Sequence, residues 1–161
     1  MDNIQIRTAK SEDLQQILLL SDELTLSDLP YDSDVDIRWA HTGKGMKYYS
    51  EKINRKNGVS FIAEYNKKIV GYATAAIKEI PSYRLVKVVE LENLLVNKEM
   101  RSKKIGKQLM NYFLKWAKEI EADRASVNVF AFNEKGVAFY EREGFISRDT
   151  TLELSLKSNT K

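Results

Sequence analysis

The sequence predicts an α/β protein in which helices cover the faces of a mixed sheet, and two observations carry that reading. Apolar spacing switches between the helical period and strict alternation, in the order strand, helix, helix, three strands, helix, strand, helix, strand. The strand–helix–strand portion late in the chain implies a right-handed parallel crossover. No repeat, low-complexity tract or linker interrupts the order, so residues 1–161 are expected to form one domain.

Ile4 to Thr8 alternate as a short strand. In SEDLQQILLLSDEL, Ser11 suits a cap, Glu12 and Asp13 suit the positive end of the dipole, and Leu14, Ile17, Leu18 and Leu20 or Ser21 keep helical spacing. SDLPYDSDVD breaks that pattern with Pro30 and a run of aspartates, as a loop does. Met46 to Lys56 supports a second helix ended by Asn57-Gly58. VSFIAEY, the turn NKK and IVGYATAAIKEI read as an antiparallel hairpin. Arg84 to Val96 form another strand, too rich in β-branched and apolar residues for a solvated edge. A helix over about Ile105 to Ile120, the strand RASVNVFAF, the helix EKGVAFYERE and a last strand TLELSL complete the chain.

Composition narrows the possibilities. The chain is 43% hydrophobic and 30% charged, as ordinary globular proteins are. No apolar run approaches the ~18–20 residues of a membrane span, and MDNIQIRTAK lacks the apolar stretch of a secretory signal. With no cysteine there is no disulfide, thiolate nucleophile or cysteine metal cluster, so the expectation is a cytoplasmic protein without a bound metal. A net charge of +3 does not demand nucleic acid as partner. Monomer and homodimer both stay open.

The stretch RSKKIGKQLM feeds a cationic turn straight into a helix. A helix start offers unpaired N–H groups and the positive end of the dipole, which favour an anion. Arg101, Lys103, Lys104 and Lys107 add side-chain charge, and Gly106 lets backbone or ligand approach closely. A solvated basic face is the competing reading. A nucleotide-hydrolysing P-loop is ruled out, because Arg101 stands where its first glycine would be and Gln108 follows Lys107. A dinucleotide fingerprint fails for want of glycines.

VNKEMRSKKIGKQLM resembles the acyl-CoA-binding segment of GCN5-related N-acetyltransferases (the GNAT family), whose pattern is [RQ]-x-x-G-x-[GA] opening a helix. Arg101 and Gly106 fill the outer positions, and Lys104 stands where the family usually has its first glycine. NEKGVAFYEREGF is similar to the family's N-x-x-A-x-x-x-Y-x-x-x-G-F at Asn133, Tyr140, Gly144 and Phe145, with Gly136 for the usual alanine. The two motifs and the strand before them cover Leu91 to Phe145, roughly a third of the chain, in the family's order and spacing. The resemblance implies a mostly antiparallel sheet with one parallel, splayed pair and about four helices. It also implies acetyl-CoA as cosubstrate. The coenzyme-binding residues it implies are the backbone of Leu94, Leu95 and Val96, the turn Arg101, Ser102, Lys103, Lys104, Ile105, Gly106 and Lys107, and Asn133, which also suits a helix cap.

Acyl transfer from a thioester to an amine needs a base for the amine, donors for the oxyanion and a proton for the departing thiolate. By alternation Glu90 and Glu92 share a face of their strand, with Leu94 and Val96 following unless a bulge intervenes. Glu92 matches the glutamate of the L-E-D-x-x-V strand in polyamine-type members of the family and is the expected base, with Glu90 as alternative. A solvated face, or pairing with lysines, is the rival reading for both. The resemblance of its motif makes Tyr140 the expected acid, a phenol near ~10 that stays protonated at neutral pH and can donate to a thiolate. A core tyrosine is the bland alternative. Asp28, Asp32, Asp34 and Asp36, with Tyr31 and Trp39 nearby, suit a cationic small-molecule or peptide amine, or else form a polar loop. His41 receives no role. The expected function is an acetyl-CoA-dependent N-acetyltransferase. The alternatives are a non-catalytic acyl-CoA-binding or sensing module and, behind it, a nucleic-acid binder.

Overall fold

The computed structural model describes residues 4–56 and 58–156. Strands β1 (Ile4–Thr8), β2 (Gly58–Tyr65), β3 (Lys68–Ile77), β4 (Val88–Val96) and β5 (Arg124–Val127) form one sheet in the order β1-β2-β3-β4-β5. Neighbours are antiparallel except β4 and β5, which run parallel. Four α-helices join them among the described residues: α1 (Leu14–Asp28), α2 (Gly43–Ile53), α3 (Ile105–Glu119) and α4 (Glu134–Arg142). The mixed sheet, its single parallel pair and the helix number agree with the sequence reading.

Each face of the sheet has its own core. Ile105, Leu109, Met110, Phe113, Trp116 and Ala117 of α3 recur at helical spacing and bury against Val59, Phe61, Ala73, Val89 and Leu91. On the other face Ile17, Leu18 and Leu20 of α1 and Tyr49 and Ile53 of α2 cover Ile62, Ile69, Tyr72 and Leu95. Between β2 and β3 the chain reverses through Asn66 and Lys67, at φ 49° and 63°. Two left-handed residues in succession match the right-handed twist of the strands they join.

Several boundaries differ from the sequence reading. Ser11 does not cap α1. The Asp13 carboxylate accepts the Lys10 amide at 2.7 Å instead, and pairs with Arg7 at 2.7 Å, which also meets Glu64 at 3.0 Å. Helix α2 starts earlier than expected because Thr42 accepts the Gly45 amide. It ends at Ile53, where Arg55 turns left-handed; Asn57 lies outside the described residues. Strand β4 begins at Val88 rather than Arg84, and β5 stops at Val127 rather than Phe132. The last strand, TLELSL, does not form: residues 151–156 have no strand geometry and their leucines are exposed. Alternation supplies the pattern of a strand, but a ladder also needs a neighbouring edge.

The Arg7 guanidinium holds the buried Asp13 carboxyl below its ordinary value. A depressed carboxyl contributes stability above the unfolded pKa of ~3.9 and loses it as pH falls toward its folded value. Asp13→Asn is expected to lower stability by about 1–3 kcal/mol at pH 7. In urea unfolding at several pH values, the gap between the two proteins should close below about pH 4.

Candidate active site

The site begins where β4 and β5 part. Their ladder runs from Val88 opposite Arg124 to Leu91 opposite Val127, whereas β4 continues to Val96. From Glu92 onward the edge of β4 that faced β5 is therefore unpaired, and a cleft of about 490 Å³ opens there. Glu92, Leu94, Leu95 and Val96 line one side, Asn128, Phe130, Asn133 and Tyr140 the other.

Glu92 is also the site of a bulge. Ala75 of β3 faces Leu91 and Thr74 faces Asn93, so Glu92 is an extra residue between them. The bulge reverses the alternation beyond it. Val89 and Leu91 belong to the α3 core, and after the bulge Leu94 and Val96 pack on that side while Leu95 enters the opposite core. Leu94 and Val96 thus leave the face Glu92 occupies, as the sequence reading foresaw for a bulged strand.

On the α2 side the Glu92 carboxylate is held by two groups that the sequence alone did not single out. Lys52 Nζ lies 2.8 Å from Oε2, and the Tyr48 hydroxyl donates to the same oxygen at 2.7 Å. Asn93 Nδ2 donates to Tyr48 at 2.9 Å and to Thr74 at 2.6 Å. The Lys52 ammonium is buried and lies 5.0 Å from the centre of the Tyr48 ring. Burial, with the charge of Glu92 added, pushes the Tyr48 phenol well up, so it stays a donor. Both bonds use Oε2, which leaves Oε1 as the available oxygen. Glu90 is differently placed: Lys78 Nζ at 2.8 Å and Asn128 Nδ2 at 2.6 Å occupy its Oε1. Both glutamates thus make the lysine pairing that the rival reading gave them, and of the two only Glu92 lines this cleft.

Arg101 connects the cleft to the helix start, donating from Nε to the Val96 carbonyl at 3.1 Å. Its guanidinium also lies 3.6 Å from Glu23. Ser102 and Lys104 both turn left-handed, at φ 65° and 60°, and α3 follows at once. The Gln108 amide makes the first bond of α3, to the Lys104 carbonyl, which leaves the N–H groups of Ile105, Gly106 and Lys107 outside the helical ladder. The Ile105 side chain is core, so only its amide can serve a ligand. A Cβ on Gly106 would meet Phe139 and Val96 at 3.6–3.9 Å, ordinary contacts, so packing does not require a glycine there. Lys103 rests over the Tyr65 ring, and Lys107 lies 3.7 Å from Glu143.

The far wall comes from α4. Asn133 caps it, accepting the Gly136 amide at 3.0 Å. A Cβ on Gly136 would press to 2.8–3.0 Å of Asn133 and Val129, so the glycine lets this cap lie close. Tyr140 is packed between Phe139 and Phe145, with ring centres 5.2 and 5.8 Å away. Burial, with Asp28 adding its charge, pushes the Tyr140 phenol up to about 12. Asp28 and Tyr31 reach the cleft from the end of α1, and Tyr31 stacks on Phe130 at 5.6 Å. Burial, then the neighbouring Asp32, pushes the Asp28 carboxyl above its ordinary value.

A profile of the Acetyltransferase (GNAT) family matches residues 20–145. The chain belongs to that family. An uncharacterized N-acetyltransferase of Methanocaldococcus jannaschii is 26% identical over 102 residues, which are 63% of this chain and 45% of the relative. The chain thus matches less than half the length of that relative. Among solved structures, a mutant of a Bacillus halodurans protein superposes with a TM-score of 0.80 at 19% identity, covering 95% of this chain and 99% of the other. The aminoglycoside N-acetyltransferase AAC(6')-Iy, solved in complex with CoA, superposes with a TM-score of 0.77 at 18% identity, covering 96% and 95%. At such identities the likeness is one of fold.

The two departures from the GNAT motifs have local explanations. Lys104 adopts the left-handed angle that the usual glycine takes without strain, and Gly136 sits where the cap crowds the helix. In the aspartate loop, Asp32 and Asp36 accept the amides of Asp34 and Arg38, as turn-forming aspartates do. His41, given no role from the sequence, has its Nε2 2.8 Å from Asp22. Tyr48, Lys52, Asn93 and Thr74 left no motif in the sequence; only the helical spacing of Tyr48 and Lys52 places them on one face.

Tyr48→Phe removes a donor from Glu92 and an acceptor from Asn93. It is expected to cost about 1–2 kcal/mol in denaturant unfolding, with the slope of the transition unchanged.

Proposed function

We propose that this chain is an N-acetyltransferase that moves an acetyl group from acetyl-CoA to the primary amine of a cationic small molecule or peptide. One observation carries the reading: Glu92 and Tyr140 line the same cleft, at the fork of β4 and β5, with the Arg101 turn bonded to its Val96 end. Family membership supports the reaction class, and CoA in the related AAC(6')-Iy structure supports the acyl donor. The left-handed turn and the three amides outside the α3 ladder suit a diphosphate, with Lys104 adding charge. The unpaired backbone of Leu94, Leu95 and Val96 suits an extended amide-bearing arm, which binds as an added strand would.

In the reaction the amine nitrogen attacks the thioester carbon, the C–N bond forms and the C–S bond breaks. Glu92 takes the amine proton through Oε1, directly or through water, while Lys52 and Tyr48 fix the carboxylate from the other oxygen. Tyr140 returns a proton to the leaving thiolate. Its raised pKa keeps it protonated over the whole range in which the amine loses its proton. Asp28, with the stacked Tyr31 and Phe130, favours a cationic acceptor at the mouth of the cleft. Aminoglycosides are the first class to try, given the substrate named for the structural relative.

Mass spectrometry of an amine panel incubated with acetyl-CoA should reveal an acetylated product, and a panel with none refutes the reading. Tyr140→Phe is expected to lower kcat by roughly 10²-fold while the Kd for CoA holds. With a phenol at about 12, kcat of the parent should show no falling limb between about pH 9 and 10.5. A limb there removes Tyr140 from the acid role. Lys104→Ala should weaken CoA by roughly 3- to 10-fold and leave a bare pantetheine fragment unaffected, as titration calorimetry can measure.

A further inference from the structure

Glu90 is the carboxylate that the cleft leaves out, and its contacts give it a different task. It lies within the β4–β5 ladder, opposite Ser126, and its Oε1 accepts from two sides: Lys78 Nζ at 2.8 Å and Asn128 Nδ2 at 2.6 Å. Lys78 directly follows β3, and its amide donates to the Val88 carbonyl at 2.8 Å, so the backbone that carries it is fixed to β4. Asn128 directly follows β5 and, two residues after Ser126, shares its face. One oxygen on β4 therefore joins the end of β3 to the end of β5.

Where the bond lies gives it consequence. The last rung of the ladder pairs Leu91 with Val127, so Asn128 is the first residue beyond it and already lines the cleft. From there the chain runs through Phe130 to Asn133, which caps α4, and on to Tyr140. This wall is lightly anchored, since no described residue from 121 to 156 is buried. Phe139 and Tyr140 lie against the α3 core, but apolar contact is non-directional and fixes nearness rather than orientation. Among the described residues, the Asn128 bond is the one side-chain hydrogen bond that ties 128–142 to β4. A charged acceptor strengthens it, and Lys78 on the same oxygen holds the carboxylate in place.

We infer that Glu90 and Asn128 are a positioning pair: the carboxylate keeps the first residue of the far wall at β4, and so sets where the fork opens and how Tyr140 stands toward Glu92. Its effect on rate rests on the acetyl-transfer reading; its effect on the wall does not. Asn128→Ala, at an exposed position, and Glu90→Ala both remove the bond, whereas Glu90→Gln keeps a carbonyl oxygen for Asn128 and loses only the charge. Amide hydrogen exchange read by mass spectrometry should quicken at least roughly fivefold over residues 128–142 in both alanine variants, stay at the parent rate in Glu90→Gln, and be unaltered in α3. Unchanged exchange in Asn128→Ala overturns the pair. With an amine that the parent acetylates, kcat should fall roughly tenfold in either alanine variant, no further when the two are combined, and less than about threefold in Glu90→Gln. Losses that multiply in the combined variant mean separate roles, and a glutamine variant as slow as the alanine one means that the charge itself acts; either result refutes the pairing. A parent that acetylates no amine, with exchange responding as expected, sinks the transfer reading and leaves the pair standing.

Discussion

The parting of β4 from β5 after Leu91 is the constraint on which the rest of the molecule depends. Parallel strands share a ladder only while their backbones stay at one spacing, and the extra residue at Glu92 bends and twists β4 out of that spacing. The result is a cleft whose wall is unpaired backbone, inside an otherwise continuous sheet. Such groups are costly to leave without partners, which makes the fork a place built to receive hydrogen-bonding company. The same bulge puts the Glu92 carboxylate at the mouth of the fork and turns Leu94 and Val96 toward the α3 core.

Holding a carboxylate at a strand defect requires support from elsewhere, and α2 provides it. Tyr48 and Lys52, one helical turn apart, reach across the sheet to the same oxygen, while Asn93 and Thr74 complete the hydrogen bonds of Tyr48. Buried polar groups are tolerable when each finds a partner, and a completed network fixes geometry more firmly than apolar packing does. The arrangement ties the position of α2 to the orientation of Glu92. On the opposite wall Tyr140 packs against two aromatic rings. One side chain of the cleft is thus held by polar partners and the other by packing.

Burial is uneven along the chain. Buried side chains run from Ile6 to Ala117, whereas no described residue of β5, α4 or the tail is buried. The cleft lies along that division, with one wall in the well-packed part and the other in the lightly covered part. Segments with few buried contacts open at lower free-energy cost than the core. The wall that carries Asn133 and Tyr140 is therefore the one best able to adjust around a ligand.

What the sequence determined by itself was whatever depends on local spacing. The helical stripes of α1 and α3, the alternation through the β2–β3 hairpin and the paired motifs around Arg101 and Tyr140 are short-range patterns, and each led to the right element. Ser11 misled because a separate turn over Ser11–Asp13 precedes α1, and the bond made there runs backward, from the Lys10 amide to the Asp13 carboxylate. The tertiary structure alone decided what depends on distant neighbours. Whether β4 bulges is settled by its register against β3, and Glu92 meets Tyr48 from 44 residues away. TLELSL has a strand's pattern, yet residues 151–156 form no strand. Side-chain period is a property of one segment, but pairing belongs to two, and sequence spacing is silent about the second.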